Sequence, residues 1–245
     1  MKIISLNIWG GRLYQAIETF IRSHAADTEV FCFQEMHAHD SNEANKSNGE
    51  RPNLLDEIQG MLPGFTGYFA EQVTGTGLAM IVRKSIDVEK VESSFVISEE
   101  DVSHLHMSNG SRYYPRIVQS IKLKTPSITV YNFHGIPGSE KKDTPERELQ
   151  MRRLHEFLDK SDGEKVLVGD FNLRPDTQAI RGLEVNMRNL VMEGGFKTTR
   201  TPQYPYHTIM PFADYTFVTS GIKINHFEVM SDEVSDHSPM CLEID

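Results

Sequence analysis

Side chains that can bind a metal ion or a phosphate stand at the ends of several apolar runs. They are Asn7, Glu35, His134, Asp170, Asn172, Asp214, Asp236 and His237. Ligand sites of α/β proteins gather at one edge of a sheet, where strand ends and loops meet. We therefore expect these residues to converge on one site, although contact with water alone explains a polar residue at any single strand end.

The chemistry of this set points to a divalent cation and a phosphate group. Glu35, Asp170 and Asp236 offer hard oxygen ligands, and the amides of Asn7 and Asn172 can hold a metal or a phosphoryl oxygen. Such ligands favour Mg²⁺ or Mn²⁺ over Zn²⁺, which prefers imidazole and thiolate. An imidazole with a carboxylate partner can stabilise charge on a phosphoryl group or move a proton. Together these groups predict hydrolysis at phosphorus.

Apolar periodicity predicts the elements that would position these residues. Helices are expected over 12–25, 54–62 and 180–191 and from Pro145 onward with Thr144 as N-cap, and strands at the N-terminus and over 29–35, 78–82, 88–97, 117–123, 127–134, 165–168, 215–218 and 240–244. The strands that lie within residues 77–124 are expected to pair antiparallel. Because no linker or repeat interrupts this alternation, we predict one α/β domain over residues 1–245, with stacked mixed sheets and outer helices.

Length and charge limit the possible functions. The chain has 245 residues, enough to bury an extensive core without disulfides or a structural metal. Its 25 Lys and Arg residues against 35 Asp and Glu residues give a net charge of −10. This argues against a protein that coats polyanions through overall positive charge, because such binding neutralises many phosphates. A local basic groove or a bound divalent cation stays compatible with this balance.

The cysteines and the apolar runs indicate a compartment. Cys32 and Cys241 lie in apolar runs and are expected to be buried core residues, with a disulfide or a catalytic thiol as the lesser alternative. The apolar N-terminal run is too short for a signal peptide, and no stretch is long enough to span a bilayer. We expect a cytoplasmic monomer that does not bind membranes.

Two segments of this acidic chain concentrate cations beside aromatic rings. Residues 104–116 contain His104, His106, Arg112, Tyr113, Tyr114 and Arg116, and residues 197–207 contain Lys197, Arg200, Tyr204, Tyr206 and His207. Nucleic acid suits this pattern, because its phosphates follow cations and its bases stack on rings. The expected substrate-binding residues are Arg112, Tyr113, Arg116 and Arg200, although an ordinary start of a strand explains residues 112–116 equally well.

Two histidine pairs have the alternate spacing that could begin a zinc site. They are His37 with His39 and His104 with His106. Neither pair has a completing cluster of ligands, so we interpret these residues as solvated loop histidines. Residues 40–53 lack periodicity and are rich in turn formers, which predicts a surface loop before the second helix.

Five short motifs carry a resemblance to a known family. They are Ser5-Leu6-Asn7-Ile8-Trp9, Phe33-Gln34-Glu35, Gly169-Asp170-Phe171-Asn172, Asp214-Tyr215-Thr216-Phe217 and Ser235-Asp236-His237. Their order and spacing resemble those of the endonuclease/exonuclease/phosphatase superfamily, from residue 5 to residue 244. The resemblance implies a four-layer α/β/β/α sandwich of two mixed sheets flanked by helices. It also implies a magnesium-dependent site at one edge of the sheets.

The resemblance implies a metal-binding side of this site. Glu35 resembles the metal-binding glutamate of the family, and Asn7 resembles the asparagine beside it that helps to hold metal and phosphate. Asp236 resembles a ligand or a hydrogen-bond partner next to the metal.

The other motif residues resemble the groups that act on water and phosphate. Asp170 and Asn172 resemble the pair that activates or orients the attacking water and steadies the transition state. His237 resembles the imidazole that contacts the scissile phosphate, and Asp214 its orienting carboxylate. His134 matches a position where deoxyribonuclease-like and sphingomyelinase-like members have histidine. We expect His237 to act as an electrostatic clamp, Asp170 to take the proton of the water and His134 to assist the leaving oxygen.

Several functions are compatible with these residues. The leading hypothesis is a phosphodiesterase that uses Mg²⁺ or Mn²⁺ to cleave nucleic acid as an endonuclease or exonuclease. The alternative within the same chemistry is a phosphatase or phosphodiesterase that acts on a phosphorylated lipid, inositol or small metabolite. From other classes, a binding protein that has lost catalysis and a zinc hydrolase built on His37 and His39 are the competing hypotheses.

Overall fold

Two six-stranded sheets lie at the centre of the fold, in the computed structural model that describes residues 1–38, 49–104, 113–138 and 140–245. The strands are β1 (Lys2–Asn7), β2 (Val30–His37), β3 (Phe65–Val73), β4 (Thr76–Arg83), β5 (Val88–Ile97), β6 (Arg116–Leu123), β7 (Ile128–His134), β8 (Glu164–Asp170), β9 (Arg188–Asn189), β10 (Asp214–Val218), β11 (Ile224–Val229) and β12 (Met240–Ile244). The helices are α1 (Tyr14–His24), α2 (Leu54–Met61), α3 (Glu99–Val102), α4 (Pro145–Leu158), α5 (Gln178–Glu184) and α6 (Leu190–Glu193).

Each sheet is mixed, with one parallel pair near its centre. The first sheet has the strand order β11-β12-β1-β2-β4-β3, and the second has the order β5-β6-β7-β8-β10-β9. The pairs β1/β2 and β7/β8 are parallel, and the other neighbours pair antiparallel. The second sheet comes from one continuous stretch of chain. The first sheet combines strands from both ends of the sequence, because β1 pairs with β12.

Apolar side chains fill three layers between and outside the sheets. The layer between the sheets contains Ile3 and Cys32 from the first sheet and Val130 and Val166 from the second. Helices α1 and α2 cover the outer face of the first sheet, and α4 and α5 cover the outer face of the second. The observed order is helix, sheet, sheet, helix, so the predicted four-layer sandwich is confirmed.

The strongest sequence signals correspond to observed elements. Ile17, Phe20 and Ile21 are the buried face of α1. The side chain of Thr144 accepts a hydrogen bond from the Arg147 backbone N–H at 3.3 Å, and Pro145 occupies the first turn of α4, so the predicted start of this helix is confirmed. Both cysteines are buried and free, as expected.

Several parts of the fold differ from the prediction. β3 and β11 are strands that the sequence did not reveal; both lie at sheet edges, where few side chains need to be apolar. The helix expected over 180–191 is two short helices, α5 and α6. Between them β9 pairs with β10, and the Asn189 side chain caps α6 by accepting from the Met192 N–H at 3.4 Å.

A buried polar pair joins the two sheets directly beneath the edge that carries the site. Gln34 of β2 donates from Nε2 to Oδ1 of Asn132 in β7 at 2.7 Å, and Asn132 donates from Nδ2 to the Phe33 carbonyl at 3.0 Å. Both side chains are buried completely. Because these bonds form only in one alignment, they fix the position of one sheet relative to the other.

Among the described residues, no helix is both long enough and apolar enough to cross a bilayer.

Candidate active site

The two parallel strand pairs end at the same edge of the sandwich, and their last residues meet there. Asn7 ends β1 and His134 and Asp170 end β7 and β8, while Glu35 lies near the end of β2. The Asn7 amide donates from Nδ2 to Oε1 of Glu35 at 3.2 Å and to Oδ2 of Asp170 at 3.1 Å. Asn7 therefore links the carboxylate of one sheet to the carboxylate of the other.

A local irregularity directs Glu35 into the site. The pairing of β2 with β4 shifts register between Phe33 and Met36, and Glu35 has a φ of 56°. Bulges of this kind redirect a side chain beside many active sites. The Glu35 side chain is 37% exposed at the cleft. Partial desolvation in the cleft raises the pKa of Glu35, and the charges of Asp236 and Asp170 add to this effect, against the lowering effect of His237 and Asn7.

Asp170 lies at the centre of the site because of strand register. It pairs with His134 on one neighbouring strand and with Asp214 on the other. Gly169 before it has a φ of 139°, and a Cβ there would lie 2.0 Å from the Phe133 carbonyl oxygen. Only glycine allows β7 and β8 to approach this closely. Burial alone would raise the pKa of Asp170, but the charges of His237, His134 and Arg200 hold it well below its usual value.

Asn172 and His134 flank Asp170. The Asn172 backbone N–H donates to Oδ1 of Asp170 at 2.8 Å, and its amide Nδ2 lies 3.2 Å from Oδ2. His134 places Nε2 3.7 Å from Asp170 Oδ2 and 3.9 Å from Glu35 Oε1. Burial, and after it the Arg116 charge, lowers the pKa of His134 to about 3. A neutral imidazole can still donate a hydrogen bond to a phosphoryl oxygen.

His237 is held by Asp214. Its Nδ1 lies 2.8 Å from each carboxylate oxygen of Asp214, and its Nε2 lies 3.6 Å from Asp170 Oδ2. Thr199 Oγ1 accepts hydrogen bonds from the backbone of Asp214 and of the residue before it, which anchors the start of β10. Burial and the Arg200 charge lower the pKa of His237, but Asp214, Asp170 and Asp236 together raise it above its usual value.

Arg200 reaches the same place from a loop. Its Nη1 donates to Asp236 Oδ2 at 3.1 Å and lies 2.5 Å from His237 Nε2. Its guanidinium carbon lies 4.3 Å from the centre of the Tyr204 ring. An isolated bridge between the backbones of Arg200 and His237 holds this loop against the residues before β12.

These residues line an open cleft of about 600 Å³. Its walls also include Trp9, Tyr113, Arg116, Lys141 and Tyr204. A second cavity of about 420 Å³ continues from it, and the two share Glu35, Arg116 and His134. The cleft therefore extends past the acidic centre instead of ending there.

A comparison with known families identifies this arrangement. The model of the Endonuclease/Exonuclease/phosphatase family matches residues 4–237, which is nearly the whole chain. The chain belongs to the Endonuclease/Exonuclease/phosphatase family. Membership makes it a hydrolase of phosphoester bonds. No curated protein sequence matches the chain.

Solved structures share the fold of this Endonuclease/Exonuclease/phosphatase protein. A mannosyl-6-phosphatase of Bacteroides thetaiotaomicron has a TM-score of 0.75 at 18% identity, covering 100% of this chain and 99% of that chain. A humanized TDP2 of D. rerio has a TM-score of 0.69 at 14% identity, covering 100% and 98%. The human Nocturnin catalytic domain with bound sulfate has a TM-score of 0.63 at 13% identity, covering 100% and 94%. At these identities the likeness establishes the common fold.

The structure brings the residues singled out in the sequence into one place. The eight candidates for catalysis and metal binding lie in or directly against the cleft, and Tyr113, Arg116 and Arg200 line it; their roles stay predictions. Arg112 lies outside the described residues, as do His39 and His106. Lys141 was missed, because a lysine in a polar loop gives the same signal as any solvated charge.

The interpretation of His37 as a solvated loop residue is wrong. His37 is the last residue of β2 and is buried, with Nε2 3.7 Å from Oε2 of Glu50. Its environment lowers its pKa, chiefly through burial. The strand extends two residues beyond the predicted end, which carries this histidine under the Trp9–Gly11 turn.

Two groups of residues could hold a divalent cation in this Endonuclease/Exonuclease/phosphatase site. Ligand atoms of Asp170, Asp214 and His237 lie within 4.8 Å of one another. However, Asp214 already accepts from Nδ1 of His237, so this group is satisfied as a hydrogen-bonded chain. Glu35 has one carboxylate oxygen in a hydrogen bond with Asn7, and nearby carboxylates raise its pKa. A divalent cation would relieve this crowding of carboxylates, so the residues around Glu35 fit such an ion.

Proposed function

We propose that this protein is a phosphodiesterase that uses Mg²⁺ or Mn²⁺ to cleave nucleic acid. The observation that carries the proposal is the convergence of Glu35, Asp170 and His237 in an open cleft that continues past them into a second cavity. An extended substrate can cross such a centre, while a closed pocket would admit only a compact one. The family membership independently supports phosphoester hydrolysis.

Glu35, Asn7 and Asp236 are the residues that we propose to hold the cation. Once bound, a divalent cation polarises a phosphoryl oxygen and stabilises the charge that develops on it. The carboxylate and amide oxygens of these side chains match the preference of Mg²⁺ for hard ligands. Asn7 also positions Glu35 against Asp170, so the metal and the attacking water would be held by one hydrogen-bonded unit.

The chain's own residues supply the remaining chemistry. In this proposal Asp170 accepts the proton of the attacking water, and Asn172 orients that water from a side chain 3.2 Å from the same carboxylate. His237, fixed by Asp214, and Arg200, whose Nη1 lies 2.5 Å from His237 Nε2, together stabilise the negative charge of the scissile phosphate. His134 donates a hydrogen bond near the leaving oxygen.

Cations and aromatic rings on the cleft walls support nucleic acid as the substrate. Arg116, Lys141 and Arg200 are buried cations in the walls, and Tyr113 and Tyr204 lie beside them. Cations of this kind bind phosphates, and rings stack on bases. Free, buried cysteines are consistent with the cytoplasmic location that we propose, and we also propose that the protein is a monomer.

A second candidate has one specific observation in its favour. The three cations concentrate at the acidic centre, and they are not spread along an extended surface track. A compact phosphate ester of an inositol, sugar or lipid headgroup would use all three at once. The overall charge of −10 also gives no long-range attraction for a polyanion.

A substrate panel separates the two candidates. Plasmid DNA, single-stranded DNA, RNA, inositol phosphates, a hexose 6-phosphate and sphingomyelin would each be incubated with the protein and Mg²⁺ or Mn²⁺. The Asp170→Asn protein, purified identically, controls for contaminating nucleases. We expect cleavage of DNA or RNA by the wild type only. Hydrolysis of a compact phosphate ester without any cutting of nucleic acid would establish the second candidate instead.

A further inference from the structure

Lys141 is a buried amine in the wall of the cleft. Its residue surface is only 2% exposed, and its Nζ has no hydrogen-bond acceptor among the described residues. No carboxylate of the described chain lies within ion-pair distance of it, and its aromatic neighbour is the Tyr204 ring, with the ring centre 5.7 Å from Nζ. Burying an ammonium without a partner costs free energy. A ligand in the cleft would supply the missing acceptor.

The loop around Lys141 is firmly built. Arg147 of α4 is buried and donates from Nη1 to the Lys142 carbonyl at 2.6 Å and from Nη2 to the Ile136 carbonyl at 3.1 Å. The Lys141 carbonyl accepts from the Arg174 backbone N–H at 2.9 Å. Lys141 itself has a φ of 50°, a backbone conformation that a lysine rarely adopts. Several independent contacts thus hold the backbone of this loop beside the cleft.

The charges around Lys141 suit an anion. Burial lowers the pKa of Lys141 to about 8, and Arg200 acts in the same direction while Asp170 and Asp214 oppose it. The amine is therefore mostly cationic at pH 7. Arg200 lies against the same Tyr204 ring, and its Nε also has no partner among the described residues. Two cations with unused donors thus share one part of the cleft.

We propose that Lys141 binds a phosphate oxygen of the substrate, in a subsite that Arg200 and Tyr204 complete. This oxygen belongs either to the scissile phosphate or to the neighbouring phosphate of the substrate strand. The proposal rests on the proposed function where it takes a nucleic acid strand as the source of that phosphate. Binding of inorganic phosphate tests the subsite alone.

Lys142 provides a matched control. It follows Lys141 directly, but its side chain is 59% exposed and pairs with Glu140 at 3.0 Å. Lys141→Met removes the buried charge and nearly preserves the shape of the side chain, and Lys142→Met removes a charge of the same sign one residue away. Because the buried amine is unpaired, we expect Lys141→Met to raise the melting temperature of the protein. If Lys141 instead supported the fold, the same substitution would lower the melting temperature.

The first measurement is calorimetric binding of inorganic phosphate to the metal-free full-length protein, together with thermal unfolding. We expect Lys141→Met to weaken phosphate binding by about 10- to 100-fold, as for the loss of a hydrogen bond to a charged group, and Lys142→Met to leave it unchanged. Lys141→Arg should retain part of the affinity. Equal phosphate affinity in the wild type and in Lys141→Met, or no binding to either, would overturn the proposal.

The second measurement identifies the source of the phosphate. Steady-state kinetics of the wild type and of Lys141→Met would be measured on an oligonucleotide and on bis(4-nitrophenyl) phosphate, which has a single phosphate. If Lys141→Met raises KM for the oligonucleotide alone, Lys141 binds the neighbouring phosphate. If the variant lowers kcat on both substrates, Lys141 binds the scissile phosphate. Unchanged kinetics on both would refute the subsite while leaving nuclease activity intact. If the wild type cuts no nucleic acid but Lys141→Met still loses phosphate binding, the nuclease proposal fails and the subsite stands.

Discussion

His237 and Asp214 are in direct contact: Nδ1 of the imidazole lies 2.8 Å from both carboxylate oxygens. This contact leaves Nε2 as the ring atom that faces Arg200 and Asp170. Asp214 is itself held by Thr199 and by its register with Asp170, so the orientation of the imidazole follows directly from strand pairing.

Replacing Asp214 tests this orientation. We expect Asp214→Asn to lower kcat by about 10³-fold with little change in KM, because the ring loses the charge that fixes its tautomer and supports its protonated form. Circular dichroism should show a folded protein, since asparagine has the same shape. Turnover within a factor of two of the wild type would contradict the assigned role.

Replacing Asp170 tests the proton acceptor. Asp170→Asn keeps an oxygen for the Asn172 N–H but cannot take a proton from water, so turnover should fall by several orders of magnitude. Asp176→Asn, at an exposed carboxylate paired with Arg174, is the control and should retain full activity. Single-turnover rates on the substrate found in the panel would measure both. The assignment fails if the two variants are equally active.

The metal requirement has a direct test. Chelation should abolish activity while leaving the unfolding temperature of the protein nearly unchanged, because the sheets and their core do not depend on the ion. Glu35→Gln should raise the concentration of Mg²⁺ or Mn²⁺ needed for half-maximal activity by at least about tenfold, since it removes a charged ligand. Full activity of Glu35→Gln in chelator would rule out a metal at this carboxylate.

The close approach of β7 and β8 predicts a large effect at Gly169. An alanine there would place Cβ 2.0 Å from the Phe133 carbonyl oxygen, so Gly169→Ala should destabilise the protein by about 3 kcal/mol or more. Gly60→Ala is the control. A Cβ at this position in α2 meets no atom within 4 Å, and the change should stabilise the helix by up to about 1 kcal/mol. Urea unfolding of both variants would check this contrast.

Asp101 predicts a dependence of stability on pH away from the site. The Arg153 guanidinium beside it, aided by hydrogen bonds from Ser98, lowers the pKa of Asp101 to about 2. The lowered value means that this carboxylate stabilises the folded state above about pH 4, and that the stabilisation is lost as the pH falls towards 2. Asp101→Asn should therefore cost about 1–2 kcal/mol at pH 6 and almost nothing at pH 2. Unfolding by urea at the two pH values measures the difference, and an equal cost at both would contradict it.

The sequence predicted the buried centre of this fold better than its edges. β2 and β7 are covered on both faces, so their residues form continuous apolar runs that are easily recognised. β11 is an edge strand with mostly exposed or half-buried residues, and its pattern resembles that of a loop. The division of the helix over 180–191 depends on pairing of Asn189 with Phe217, a long-range contact that local periodicity does not contain.

The candidate site, too, could be predicted from the sequence only in part. Asn7, Glu35 and Asp170 follow apolar strands, so their chemistry and their place in the fold are both visible in the sequence. The bulge that directs Glu35 and the burial of Lys141 depend on neighbours distant in the chain. A lysine preceded by Glu140 and followed by Lys142 has the pattern of a solvated surface residue, and its position in the cleft depends on contacts with Arg174 and Tyr204, which are distant in the sequence.

The strand order also determines the order in which the two sheets can fold during synthesis. The strands of the second sheet, from β5 to β10, are contiguous in the chain. In the first sheet β1 can pair with β2 early, but its other edge pairs with β12 near the end of the chain, as Ile4 does with Cys241. Contacts between residues so far apart in sequence form late, because closing such a loop costs entropy before any contact compensates for it. Asp236 and His237 arrive just before β12. We therefore expect a nascent chain to complete the second sheet before it holds Asp236 and His237, the site residues proposed above, and so before it can hydrolyse a phosphoester.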